Sequence, residues 1–352
     1  MRYIFPLLLL LLSSGCSTRA QWHKEQGSVW NTTYNIIYEC DRELTDSIFG
    51  IFDEINRSVS VFTPGSTVNI INGRDSVEAD ENFALLFNEA QRVSALSVGR
   101  YDPTVGALVE LWGFGKEKVH GGEPSQESIE SVMSGVGIGE CKLVDNRVIK
   151  KSPSTCFNFS SIAKGFGCDK IAAMLNRNDV ENYLIEIGGE IALHGLSHRD
   201  RDWVVQIDAP VPDTLATHQG MLLIEVTDCG IATSGNYRNF RLDEAGNRIG
   251  HTIDASTGYP AVTEILSVTI IAPSAMTADA LATAMMAMPL TEAMVMLEKI
   301  PDACALIVTA VSTELPDALP EGWHTEKLGD DYTVIMSIGF PPYLSPQRER
   351  NG

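Results

Sequence analysis

Residues 180–195 read VENYLIEIGGEIALHG, two strand-like apolar runs separated only by Gly188 and Gly189. A Gly-Gly pair suits the positive φ of a two-residue hairpin, or marks a place where backbone must approach a ligand closely; a turn this short joins antiparallel runs, since a parallel pair would need a crossover of a dozen residues. DWVVQIDAP, GMLLIEVTDCGIATSG, EILSVTIIAP, CALIVTAV and YTVIMSIGF read as further strands, and TYNIIYEC alternates near the start. Helical spacing marks NFALLFNEAQRVSALSVG, which ends at Gly99, and SIAKGFGCDKIAAMLNRN, which is entered through polar residues. It also marks LTDSIFGIFDEINRSVSVF, where it gives way to an extended stretch. Strands that succeed one another through short turns predict an α+β fold of antiparallel sheets with packed helices, not a doubly wound parallel sheet.

The first residues belong to targeting rather than to this fold. MRYIFPLLLLLLSSGCS carries Arg2, an apolar run from Ile4 to Leu12, and small residues up to Cys16. The run is too short to span a bilayer as a helix, and residues 1–15 read as an export signal. SSGC resembles a bacterial lipobox in which Cys16 is lipidated, although Leu12 sits one place further back than the common pattern; a plain cleaved signal is the alternative. Residues 16–26 then form the lipidated N-terminus and a short polar tether, and residues 27–345 a single domain. The expected location is the periplasmic face of the cytoplasmic membrane, with the outer membrane as the alternative because Ser17 follows the cysteine. Forty-six acids against 26 Lys and Arg give a formal net charge of −20, which excludes nucleic acid as a natural partner. Six cysteines follow Cys16, scattered without a C-x-x-C, so their pairing is not legible.

Familiar phosphate and nucleophile motifs fail. GVGIGE at 135–140 is followed by the strand-like CKLVDNRVI where a helix should begin, ATSGN is no nucleophile elbow, and no P-loop or H-E-x-x-H occurs. Several stretches nevertheless hold residues that a core does not require. In MTADALATAMMAM, Asp279 and Thr283 are four residues apart and share one helical face. The plain structural reading makes Thr277 the helix cap and puts Asp279 in the first turn. GRYDPTVGALVELWGFG crowds Asp102, Pro103 and Trp112 into a loop after a helix, readable as a turn or helix start with Trp112 as packing. NFSSIAKGFGCD sets Lys164 at a helix start, where free N–H groups can face an anion or the helix is simply capped. ATSGNYRNF and GHTIDASTGYP are polar loops at strand ends, the second carrying His251.

In combination and order, RYDPTVGALVELWGFG, SSIAKGFGCD, IEIGGEIALHG, IATSGNYRNF, HTIDASTGYP and TADALATA resemble the ApbE family of flavin transferases. TTYNIIY and NRSVSVFTPGSTVNIIN, with Asn56, Ser60, Ser66 and Asn72, extend the resemblance from about Gly27 to about Phe340. It implies an α+β fold similar to paired T-fold units. It also implies Mg²⁺-dependent transfer of FMN from FAD to a Thr or Ser hydroxyl of an exported protein, with AMP released. Respiratory electron-transport subunits are the implied acceptors. An FAD pyrophosphatase giving FMN and AMP, and a non-catalytic flavin-binding lipoprotein, are the alternatives.

Residue by residue, the resemblance implies a metal site from the Ser161 carbonyl, Asp279 and Thr283, and a catalytic pair of His251 and Asp279 with His251 as base. Hard oxygen donors of this kind suit Mg²⁺. Trp30, Phe62, Arg100, Tyr101, Asp102, Asn158, Lys164 and Ile253 fall on positions that hold FAD. The chain departs from the family at Trp30–Asn31–Thr32, where many relatives carry Met-Gly-Thr, at Asn158, where the family has an acid, and at Ser161, where it has Ala or Gly.

Overall fold

The computed structural model describes residues 20–74, 76–116, 123–211, 219–236, 240–242 and 248–344. Strands β1 (Gln21–Val29) and β2 (Thr32–Cys40) form a hairpin through Trp30 and Asn31, whose φ of 50° and 59° the two-residue turn requires. The expected Gly-Gly hairpin joins β3 (Tyr183–Ile187) to β4 (Glu190–His194). With β5 (Cys229–Gly235), β6 (Ile265–Ala272), β7 (Cys304–Ala310), β8 (His324–Leu328) and β9 (Tyr332–Met336), they build one nine-stranded sheet. Its order is β1-β2-β3-β4-β5-β6-β7-β9-β8, and every neighbouring pair is antiparallel.

Both faces of the sheet's middle are covered, which is why its strands read as near-continuous apolar runs. Ile270, Ala305 and Ile307 point into a core shared with helices α1 (Thr45–Val59), α2 (Glu81–Leu96), α3 (Ala163–Asn176), α4 (Ala275–Met286) and α5 (Leu290–Leu297). Ile271, Leu306 and Val308 point the other way, against the strands Trp203–Asp208 and Gly220–Val226 of a small second sheet. Helix α4 is buried almost all round, with Ala278, Ala280, Leu281, Ala282, Ala284, Met285 and Met286 fully inaccessible. A helix apolar on every side belongs inside a protein, so a carboxylate on it demands partners.

Three local expectations are corrected. Gln21–Gln26 are not tether but most of β1, whose residues pair along β2; at the sheet edge the strand stays largely exposed, hence its polar sequence. After α1 the chain turns and forms a short helix, Thr67–Gly73, instead of extending, because Ser66 caps it and the Asn69 amide holds the carbonyls of Val61 and Thr63. In the loop after α2 the chain does start a short helix, Gly106–Leu111, as the helix-start reading of Asp-Pro-Thr allows. Helix α4 is capped by Ser274, which accepts from Thr277 N, so Asp279 lies beyond the first turn. All six cysteines in the described residues are free; Cys40, Cys141 and Cys168 are buried. Cys16 and the signal lie outside the described residues, as do Tyr237–Asn239 of ATSGNYRNF.

Candidate active site

Helices α3 and α4 cap one another. Asp169 of α3 accepts from Ala275 N and Met276 N at 2.9 and 2.8 Å, in the first turn of α4. In return, Asp279 Oδ2 of α4 accepts from Gly165 N, in the first turn of α3, at 3.0 Å. The two helices can meet this closely only because position 165 is glycine: a Cβ there would lie 2.3 Å from the Ala275 carbonyl oxygen. The positive ends of two helix dipoles therefore converge on one spot.

Asp279 Oδ1 is left facing Lys164 Nζ at 3.9 Å, while the same ammonium lies 2.7 Å from Glu190 Oε1, the first residue of β4. Both carboxylates are buried, while the Lys164 side chain is 28% exposed, the most accessible of the three. Burial alone would lower the Lys164 pKa, yet the charges of Asp279 and Glu190 outweigh it and hold the ammonium above the ordinary lysine value. Burial pushes Glu190 up to about 8 against the pull of Lys164, and pushes Asp279 up as well. One ammonium cannot neutralise two buried carboxylates. Glu190 Oε2 has no hydrogen-bond partner among the described residues.

On the other side of Asp279, one helical turn along α4, Thr283 Oγ1 lies 3.4 Å from the Ser161 carbonyl oxygen and 3.3 Å from Ser234 Oγ of β5. Carboxylate, hydroxyl and carbonyl thus form a hard-oxygen set next to an unbalanced negative charge, a combination that fits Mg²⁺. Among the described residues no group of three His, Cys, Asp or Glu side chains is placed to hold a metal, so an ion here would depend on the neutral oxygens and on ligand phosphates.

The remaining candidates fall into two groups. Tyr101 is buried against the cluster, its hydroxyl accepting from Ser161 Oγ at 3.3 Å, and burial raises its pKa. Trp30 packs on α3, where a Cβ on Gly167 would come within 2.7 Å of its ring, and its Nε1 donates to Asn56 Oδ1 at 2.9 Å. Asn158 closes a tight turn onto Ser160 N and donates its own N–H to the Pro103 carbonyl. The loop carrying His251 and Ile253 is tied to β5, because Thr252 Oγ1 donates to Asn236 Oδ1, two residues after Ser234. The His251 ring stands edge-on to Phe114 with centroids 6.4 Å apart, and Ile253 is buried.

Arg100 and Asp102 are engaged within the protein. Arg100 Nη1 donates to Asp254 Oδ2 at 2.7 Å and its Nε to Glu292 at 3.2 Å. Asp102 accepts from Thr104 N, Thr104 Oγ1 and Ile138 N, as the turn reading of Asp-Pro-Thr anticipates. Burial raises its pKa against those donors. Phe62 is 56% exposed on the turn after α1, outside the cluster. Glu190 is the residue that sequence reading missed: EIGGE announced a hairpin, and the ion pair from β4 to α3 spans elements that no local pattern links.

A model of the ApbE family matches residues 28–308 of this chain. A curated FAD:protein FMN transferase from Vibrio cholerae is 33% identical, with 97% of this chain and 99% of the relative aligned. Another of the same description, from Haemophilus influenzae, is 32% identical over 87% and 92%. A solved structure described as flavin transferase ApbE from Vibrio cholerae superposes with a TM-score of 0.77 at 30% identity, covering 92% of this chain and all of that one.

Proposed function

The chain belongs to the ApbE family, and from that premise we propose that it is a magnesium-dependent FAD:protein FMN transferase. It moves the FMN half of FAD onto a Thr or Ser hydroxyl of an exported protein, in an electron-transport complex, and releases AMP. The observation that carries this reading is the cluster of Asp279, Thr283 and the Ser161 carbonyl, in which the buried Asp279 shares one ammonium with the buried Glu190. Those three oxygens would hold the ion. Bound magnesium supplies neutralisation of the diphosphate charge that builds up as AMP leaves.

The protein's own groups do the rest. Lys164 carries its ammonium on the most exposed side chain of the cluster, and that charge complements a diphosphate. The converging starts of α3 and α4 add positive potential at the same spot. Asp102 fixes the loop that carries Arg100 and Tyr101, so that those side chains keep their places at the flavin or adenosine end. Trp30, packed on α3, offers an aromatic face where many relatives carry Met. His251 takes the proton from the acceptor hydroxyl as it attacks the phosphorus nearer the riboflavin. Lipidation at Cys16 holds the enzyme at the periplasmic face of the membrane.

The purified protein incubated with FAD and Mg²⁺, with and without an acceptor domain, tests this reading. Covalent flavin fluorescence on the acceptor, one AMP per flavin transferred, and loss of both in chelator are expected. FMN and AMP formed at the same rate whether or not an acceptor is present would instead make the protein a pyrophosphatase. Unchanged FAD in both reactions would make it a storage protein.

A further inference from the structure

We propose that Glu190 is a positioning residue: by holding the Lys164 ammonium it keeps that ammonium off Asp279, leaving the Asp279 carboxylate open to a divalent cation. The proposal rests on the metal-dependent reading above and adds a residue to it. The geometry is asymmetric. Lys164 Nζ is 2.7 Å from Glu190 Oε1 but 3.9 Å from Asp279 Oδ1, although both carboxylates are within reach of one flexible side chain. An ammonium in direct contact with a carboxylate competes with any cation that must use the same oxygen. Glu190 is well placed to win this contest. It starts β4 directly after the Gly-Gly turn, is buried, and its backbone carbonyl accepts from Cys168 Sγ of α3 at 3.2 Å. No donor among the described residues engages its second oxygen, so the carboxylate is not drawn elsewhere. Lys164 is thereby kept charged and held beside, not on, the Asp279 oxygen.

A simpler role is open to Glu190, that of a nearby negative charge which attracts any cation regardless of Lys164. Calorimetric titration of the purified protein with Mg²⁺ alone, without FAD, separates the two. Glu190→Gln keeps the shape and removes the charge, freeing Lys164 to swing onto Asp279; Mg²⁺ affinity should fall about 10–100-fold, the usual effect of losing an outer partner of a metal ligand. In a Lys164→Met background the competitor is gone, and Glu190→Gln should then change affinity by less than about twofold, since the two effects no longer couple. Glu190→Asp keeps the charge but draws it back by one methylene, and should also weaken Mg²⁺ binding. Melting curves without metal establish that each variant is folded, and Glu190→Asp keeps the test open if the glutamine variant is not. Equal losses in both backgrounds, or wild-type affinity in Glu190→Asp, overturn the positioning role while leaving metal dependence intact. Wild-type protein that takes up no Mg²⁺ overturns the proposal together with the reading beneath it.

Discussion

Asp279 does two jobs with its two oxygens, and the jobs can be separated. Oδ2 accepts from Gly165 N and so holds the start of α3, while Oδ1 faces Lys164 and is the oxygen available to a cation. Sequence spacing alone suggests that Asp279→Ala is a mild change, because a dipole contact in a first turn contributes only about 0.3–1 kcal/mol. The buried position says otherwise: the alanine variant leaves the Gly165 N–H without an acceptor, at a cost of about 1–3 kcal/mol. Asp279→Asn retains an acceptor oxygen and should melt closer to wild type in the absence of metal. Both variants should lose Mg²⁺-dependent turnover of FAD by roughly a hundredfold or more, the scale of several kcal/mol of charge stabilisation. Near wild-type turnover in either at limiting Mg²⁺ would falsify the metal site. The pairing of Asp279 with Thr283 was legible because it depends only on helical period. Of their partners, the Ser161 carbonyl was reached only through the family resemblance, and Gly165 and Ser234 not at all: the three arrive from two other segments, and only the tertiary fold brings them within hydrogen-bond distance.

At the scale of elements, the same reasoning applies to the reciprocal cap from α3. Burial pushes the Asp169 carboxyl up from 3.8 to about 6, against the two backbone N–H groups that it accepts. An acid whose pKa is higher in the folded chain binds its proton more tightly there. Its unfavourable contribution is absent below about pH 4, grows as pH rises to about 6, and is constant above. Stability should therefore fall across that window by up to about 3 kcal/mol from this group, at about 1.4 kcal/mol per unit. Asp169→Asn removes the titration, so urea midpoints measured in chelator should fall less from pH 4 to pH 6 than in wild type; parallel curves would show that Asp169 is not the source. Elements were otherwise read well where the local signal was complete. Gly188-Gly189 fixed a hairpin, and Gly99 ended α2 with φ of 79°. The misreadings share a cause. β1 is polar because it is an edge strand, and Ser274 took the cap from Thr277 because α4 begins one turn earlier, where Asp169 could reach it.

For the whole molecule, the proposed membrane attachment rests on the lipid at Cys16. The full chain's formal charge of −20 repels an anionic lipid surface, and no helix of the described residues is long and apolar enough to cross a bilayer. Among the described residues the first strand begins at Gln21, paired along β2, and residues 17–20 stand between it and Cys16 in the sequence. A lipid on Cys16 would hold the protein by burial of acyl chains, which salt does not screen. Wild-type protein should accordingly stay with membranes through a high-salt wash, whereas Cys16→Ser should appear in the soluble fraction or remain unprocessed. The soluble form should flavinylate a soluble acceptor domain at the wild-type rate, since none of the residues that form the helix pair and the cluster between them is changed. Against a membrane-embedded acceptor it should be slower, because it has lost the concentrating effect of sharing one surface. Unchanged processing and membrane fractionation of Cys16→Ser would count against lipidation and leave the attachment to be sought in the signal itself.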